Sequence, residues 1–179
     1  MSRQQIIAQH VADGNLFKFK STDFEVWGIP EDETPRTMYV SSDIMAAVTL
    51  PLADTEEGER LGEFRAWLDG FIEGGEISVA EDPDQKPPDA MLARVHPVNA
   101  EFWSIRVTHP EMTPGIRSLG AFSDKNEFVA LTWGKREIID DKFNEEVASA
   151  RESWSDHFGS ETPRQGDSLH EYLTTYHAV

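Results

Sequence analysis

Aromatic and β-branched residues crowd three runs between residues 102 and 136. These are Phe102-Trp103-Ser104-Ile105-Arg106-Val107, Gly115-Ile116-Arg117-Ser118-Leu119-Gly120-Ala121-Phe122, and Glu127-Phe128-Val129-Ala130-Leu131-Thr132-Trp133-Gly134-Lys135-Arg136. A Pro/Gly break separates the first two runs, and the turn Ser123-Asp124-Lys125-Asn126 separates the last two. Strand-type composition bounded by turn chemistry predicts one antiparallel meander. Met91–Val95 precedes it and is expected to pair with it.

Elsewhere the spacing of apolar positions changes from two to about three and a half, the mark of helices. Ile6, Ile7 and Val11 place a short helix over 3–12. The clearest helix covers 56–73, with Leu61, Phe64, Leu68, Phe71 and Ile72 on one face, Asp54 or Thr55 as its cap, and Gly74-Gly75 as its stop. A second strong helix is expected after Asp140 or Asp141, with Phe143, Val147, Ala150, Trp154 and Phe158 as its stripe and Gly159 at its end. Leu16–Lys20 and Phe24–Ile29 read as a hairpin through Ser21-Thr22-Asp23. Thr37–Val40 reads as a strand, followed by a short helix capped by Ser41, Ser42 or Asp43. Ile77–Val79 reads as a strand. The acid- and proline-rich stretches 30–35 and 81–89 read as loops, and Leu169, Tyr172, Leu173 and Tyr176 suggest a short closing helix.

The fold class expected is therefore α+β: an antiparallel sheet with its meander in the C-terminal half and helices packed on it. The 179 residues fit one domain, with 1–90 as an N-terminal elaboration carrying helix 56–73, 91–158 as the central sheet and helix, and 159–179 as a C-terminal tail or helix. The absence of Cys removes disulfides and thiolate chemistry and fits a cytoplasmic location. No apolar run approaches the ~20 residues of a membrane span.

The charge changes the picture. The chain carries a net −17, which opposes general binding to nucleic acid or anionic membranes. That charge is uneven: residues 1–90 are net −12, 137–179 net −7, and 91–136 net +2. The meander is the one stretch that is not acidic. No pair among the six His has the spacing of a helical zinc site, no Gly-x-Ser-x-Gly elbow occurs, and no Gly-rich phosphate loop with its lysine occurs. No cofactor or metal is expected.

The cations of the meander are the candidate chemistry. Arg106 ends its first strand, Arg117 lies early in the second, and Lys135 and Arg136 end the third. Antiparallel pairing brings those strand ends to one edge, so Arg106, Arg117 and Lys135 or Arg136 are expected to converge there. Converging cations bind a phosphate and stabilise charge built up during phosphoryl transfer.

The order Trp103-x-Ile105-Arg106, Ile116-Arg117-x-Leu119-x-x-Phe122, a turn, Phe128-Val129-x-Leu131-x-x-x-Lys135-Arg136, then a helix with Glu146-x-x-x-Ala150 resembles that of RelE/HigB-like toxins over residues 102–158. The resemblance implies a small α+β fold and metal-independent cleavage of mRNA, often on the ribosome, with a cognate antitoxin as partner. It implies that Arg106 and Arg117 hold the phosphate and that Lys135 or Arg136 stabilises the transition state. Proton transfer would come from Tyr172, Tyr176, His170 or His177, among which no motif selects. The alternative reading of the sequence is a non-enzymatic protein-binding module of phage or mobile-element origin, whose acidic faces recruit a basic partner.

Overall fold

The computed structural model describes residues 1–30, 33–109 and 112–179. The acidic loop expected over 30–35 and the break before the second meander strand therefore lie partly outside the described residues. The elements in chain order are α1 (Arg3–Ala12), β1 (Leu16–Lys18), α2 (Thr22–Trp27), β2 (Thr37–Ser41), α3 (Ser42–Val48), α4 (Glu56–Ile72), β3 (Ser78–Ala80) and β4 (Leu92–Arg94). The meander follows as β5 (Phe102–His109), β6 (Met112–Asp124) and β7 (Glu127–Lys135). Then come α5 (Arg136–Asp141), α6 (Phe143–Phe158) and β8 (His177–Ala178).

Among the described residues, eight strands form one sheet in the order β1-β2-β7-β6-β5-β4-β3-β8. The expected meander β5-β6-β7 is its centre, and β4 pairs antiparallel with β5 as expected. The sheet as a whole is mixed rather than antiparallel, because β2 runs parallel to β7, and β3 runs parallel to both β4 and β8. The β3–β4 pair is joined by the loop over 81–91, which is long enough to bring the chain back in the same direction without a helix. Strands β1, β2 and β3, from the first ninety residues, belong to the same sheet as the meander.

The expected hairpin over 16–29 does not form. Only β1 is a strand, its partner is β2, and residues 22–27 turn as α2. Ser21 begins that turn: its hydroxyl accepts from the Asp23 N–H at 3.2 Å and donates to Glu73.

Successive strand side chains point to opposite faces, and both faces are covered. Phe128 and Ala130 belong to a core shared with Ile44 and Val48 of α3, with Phe64, Trp67, Leu68, Phe71 and Ile72 of α4, and with Leu169, Tyr172 and Leu173. Val129 and Leu131 belong to the other core, shared with Ile7 of α1 and with Val147, Ala150, Trp154 and Phe158 of α6. Thr55 caps α4, its hydroxyl accepting from the Gly58 N–H at 3.1 Å, with Glu56, Glu57 and Glu59 at the positive end of the helix dipole. Beyond α6 the chain makes a 3₁₀ turn over Leu169–Glu171 and ends as β8, in place of the expected closing helix.

Among the described residues, no helix is long and apolar enough to cross a membrane.

Candidate functional site

Arg106 and Arg117 are directly opposed partners on β5 and β6. They alternate in phase with Phe102 and Leu119 of the α6-side core, so both point to that face. Like charges directly opposite each other weaken a strand pair. Arg106 is also nearly buried, at 6% exposure. Its Nη1 donates to the Pro87 carbonyl at 2.8 Å, while its buried Nε has no hydrogen-bond partner among the described residues.

The counter-charge comes from α5. Asp140 accepts from Arg117 through Oδ1, which takes Nε, and through Oδ2, which takes Nη2 at 3.2 Å. The same Oδ2 accepts from Arg136 Nε at 3.2 Å, one helical turn earlier. This helix lies close on the sheet because Gly134, the β7 partner of Arg117, has no side chain: a Cβ there would stand 3.1 Å from Ile139 Cδ1. Asp140 or Asp141 is the cap that the sequence predicts for the following helix. Instead α5 and α6 meet at Lys142, without a side-chain cap, and the Asp140 carboxylate serves the arginines.

A fourth cation arrives from the loop between β3 and β4. The Lys86 ammonium lies 5.5 Å from the centre of the Phe143 ring, and the Arg117 guanidinium lies 5.7 Å from it. Phe143 packs against the α6-side core, as its place in the helical stripe predicts, and its ring also serves two cations. The groups feel one another. Burial lowers the pKa of Arg106, and the charges of Arg117 and Arg136 lower it further, although arginine stays protonated. Burial lowers that of Lys86, again with Arg117 and Arg106. Burial of Asp140 would raise its pKa, but the hydrogen bonds and charges of Arg117 and Arg136 prevail and hold it below the usual carboxylate range.

Arg106, Arg117 and Arg136 therefore converge, and Lys135 does not. Lys135 forms an ion pair with Glu57 of α4, 3.0 Å away, on the other face of the sheet. The reason is a β-bulge. Leu119 pairs with Thr132 but the next residue, Gly120, pairs with Ala130, so Leu131 is an extra residue on β7. Simple alternation from Val129 and Leu131 would put Lys135 beside Arg117. The bulge inverts that phase, so Trp133 stacks on Phe64 of α4 and Lys135 follows it.

None of the four proton-transfer candidates is placed with these cations. Tyr172 is fully buried in the α4-side core. Its hydroxyl donates to Glu101 Oε2 at 2.6 Å, and Arg94 Nη2 lies 3.3 Å from that hydroxyl. Tyr176 packs on the same core, and its ring lies 5.3 Å from that of His170. His177 begins the edge strand β8.

Sequence reasoning missed Lys86, Phe143 and Asp140 as members of the cluster. Lys86 carries one usable signal: it is the lone basic residue in 81–89, on the loop that enters the strand preceding the meander. The assembled group holds four cations against Asp140, the charges of Asp84 and Asp89 also act on it, and Arg117 presents a planar fork. It is suited to an oxyanion with several oxygens, a phosphate above all. Among the described residues, no group of three or more His, Asp or Glu side chains is arranged to hold a metal ion. No family model, curated protein or solved structure matches this chain.

Proposed function

We propose that this chain binds an RNA phosphodiester at Lys86, Arg106, Arg117 and Arg136, and cleaves it without a metal, as the resemblance to RelE/HigB-like toxins implies. The observation that carries the reading is the direct opposition of Arg106 and Arg117. A like-charged pair, one member of it buried, lowers stability; Asp140 answers Arg117 directly, and an anionic ligand that recruits both arginines offsets the rest of the cost. In this reading Arg106 and Arg117 hold the phosphate and Arg136 stabilises its added charge in the transition state. The ribose 2′-hydroxyl attacks phosphorus, the 5′-oxygen leaves, and a 2′,3′-cyclic phosphate forms. Lys86, held over Phe143 beside Arg117, is the group of the cluster that would take the 2′-hydroxyl proton as that oxygen bonds to phosphorus and deliver a proton to the departing 5′-oxygen. Lys135 has no part in it. An antitoxin is the protein partner and translated mRNA the substrate that this reading implies. The acidic remainder of the chain confines RNA contact to the cluster.

The test is incubation with single-stranded RNA and with translating ribosomes. Cleavage to cyclic-phosphate ends is expected, and Arg106→Ala and Arg117→Ala are expected to abolish it. An intact RNA pool, with no binding of RNA by the wild-type chain, rules the reading out.

The second reading, a protein-binding module, is favoured by a separate feature. Val26 and Trp27 at the end of α2 are 72% and 76% exposed, and Ile29 beside them is also exposed. Recovery of a protein partner that Trp27→Ala releases, from a chain without nuclease activity, supports that reading over the first.

A further inference from the structure

Arg117, which would hold the phosphate, and Arg136, which would stabilise its added charge, already engage a carboxylate. Asp140 presents two oxygens to Arg117 and shares one of them with Arg136, which is the arrangement in which a pair of guanidinium groups receives a phosphate. Carboxylate and phosphate satisfy the same planar donor set, so they compete for it.

The element that carries Asp140 is built to be displaced. Helix α5 has six residues and no side-chain N-cap, and Ile139 is its one buried residue. Glu137, Ile138 and Asp141 are exposed, Ile138 at 56%. Its seat on the sheet is the bare backbone at Gly134. Few buried contacts and a short hydrogen-bonded span mark segments that open at low cost.

We propose that Asp140 is an internal stand-in for the ligand: its carboxylate occupies the Arg117 fork and the Arg136 Nε at rest, and an incoming phosphate takes its place as α5 shifts. This rests on the reading of the cluster as a phosphodiester site and adds to it a self-occupied resting state. The alternative role for the same contact is a brace, in which Asp140 stays in place and aligns the arginines for the ligand. The two roles give opposite signs when the charge is removed.

The test is the affinity of a fluorescein-labelled single-stranded RNA oligonucleotide, read by anisotropy at fixed low salt, for the wild-type chain, Asp140→Asn, Asp140→Ala and Arg117→Ala. A competing anion in the site is expected to weaken wild-type binding, so both Asp140 variants are expected to bind about tenfold more tightly. Arg117→Ala is expected to lose binding. A second measurement guards against variants that merely unsettle the fold. The backbone amide resonances of Ile138, Ile139 and Asp141 in the wild-type chain are expected to move on RNA addition towards their positions in free Asp140→Asn. Equal or weaker binding by the Asp140 variants, with binding still lost in Arg117→Ala, overturns the stand-in and leaves the phosphodiester site standing. No binding by any form, Asp140→Asn included, overturns both.

Discussion

Arg106 and Arg117 face each other across two central strands of a protein that carries net −17. One of them is almost fully buried. A buried ion pair exchanged for apolar side chains is often neutral or stabilising, and among the described residues Arg106 has no carboxylate hydrogen bond to break, only that to the Pro87 carbonyl. Arg106→Met is therefore expected to leave stability within about 1 kcal/mol of the wild type, or to raise it. RNA affinity is expected to fall in the same variant. Urea unfolding alongside RNA anisotropy checks both; a loss of stability with unchanged affinity would assign Arg106 to the fold alone.

Lys135 and Glu57 lie on the other face, and both are partly exposed, at 35% and 43%. A pair of that kind contributes between zero and about 1 kcal/mol. Lys135→Ala is expected to lower stability by no more than that and to leave RNA affinity near the wild-type value. A drop in affinity comparable to that of Arg117→Ala would show that the bulge does not hold in solution.

Gly120 makes the bulge possible. A Cβ on it would stand 2.0 Å from the Val129 carbonyl oxygen and 2.8 Å from a Phe128 ring carbon. The obstacle is backbone and a fully buried ring, neither of which yields easily. Gly120→Ala is expected to cost about 1–3 kcal/mol or more, the range for overpacking in a closed core. Thermal unfolding of the purified variant measures it.

Tyr172, Glu101 and Arg94 form a buried network that ties the C-terminal segment to β4 and to the turn before β5. Burial, followed by the hydrogen bond and charge of Glu101, pushes the Tyr172 hydroxyl well above its usual pKa. It is thus held protonated, as a donor. Tyr172→Phe leaves a buried carboxylate oxygen without that donor and is expected to cost about 1–3 kcal/mol. Increased hydrogen exchange across 169–179 is expected with it, because Tyr172 is the link that is lost.

Asp69 of α4 supplies the pH dependence. Burial raises its pKa to about 6, against the opposing charge of Arg65, which lies 3.7 Å away. The folded state therefore holds this proton more tightly than the unfolded state does. The resulting penalty is absent below the unfolded value near 3.8, grows as pH rises, and is complete above about 6. Asp69→Asn is expected to raise stability at pH 7 by about 1–3 kcal/mol. It is expected to change little at pH 3.5, where the wild-type carboxyl is already neutral. Urea midpoints at the two pH values check the sign.

Much of the fold was legible locally. Helices α1, α4 and α6 and the strands β5, β6 and β7 follow from apolar spacing and from turn residues between them. That information lies within each segment, so it survives without knowledge of partners. The composition of Phe24–Ile29 suits a strand, yet residues 22–27 form α2 because the hydrogen bonds of Ser21 start a helical turn there. The parallel pairings of β2 and β3 were not legible, because parallel neighbours are set by distant parts of the chain.

The sequence by itself determined that the cations of an acidic protein gather in its meander, and that Arg106 and Arg117 lie where strands return to a common edge. Tertiary structure decided which of them meet. Side-chain alternation is a local rule, but its phase depends on register between strands. One extra residue at Leu131, accommodated by Gly120 on the neighbouring strand, sends Lys135 to α4. Lys86, Phe143 and Asp140 join the arginines from a loop, α6 and α5, and only the packing of these three over the sheet brings the charges and the ring within reach of one another.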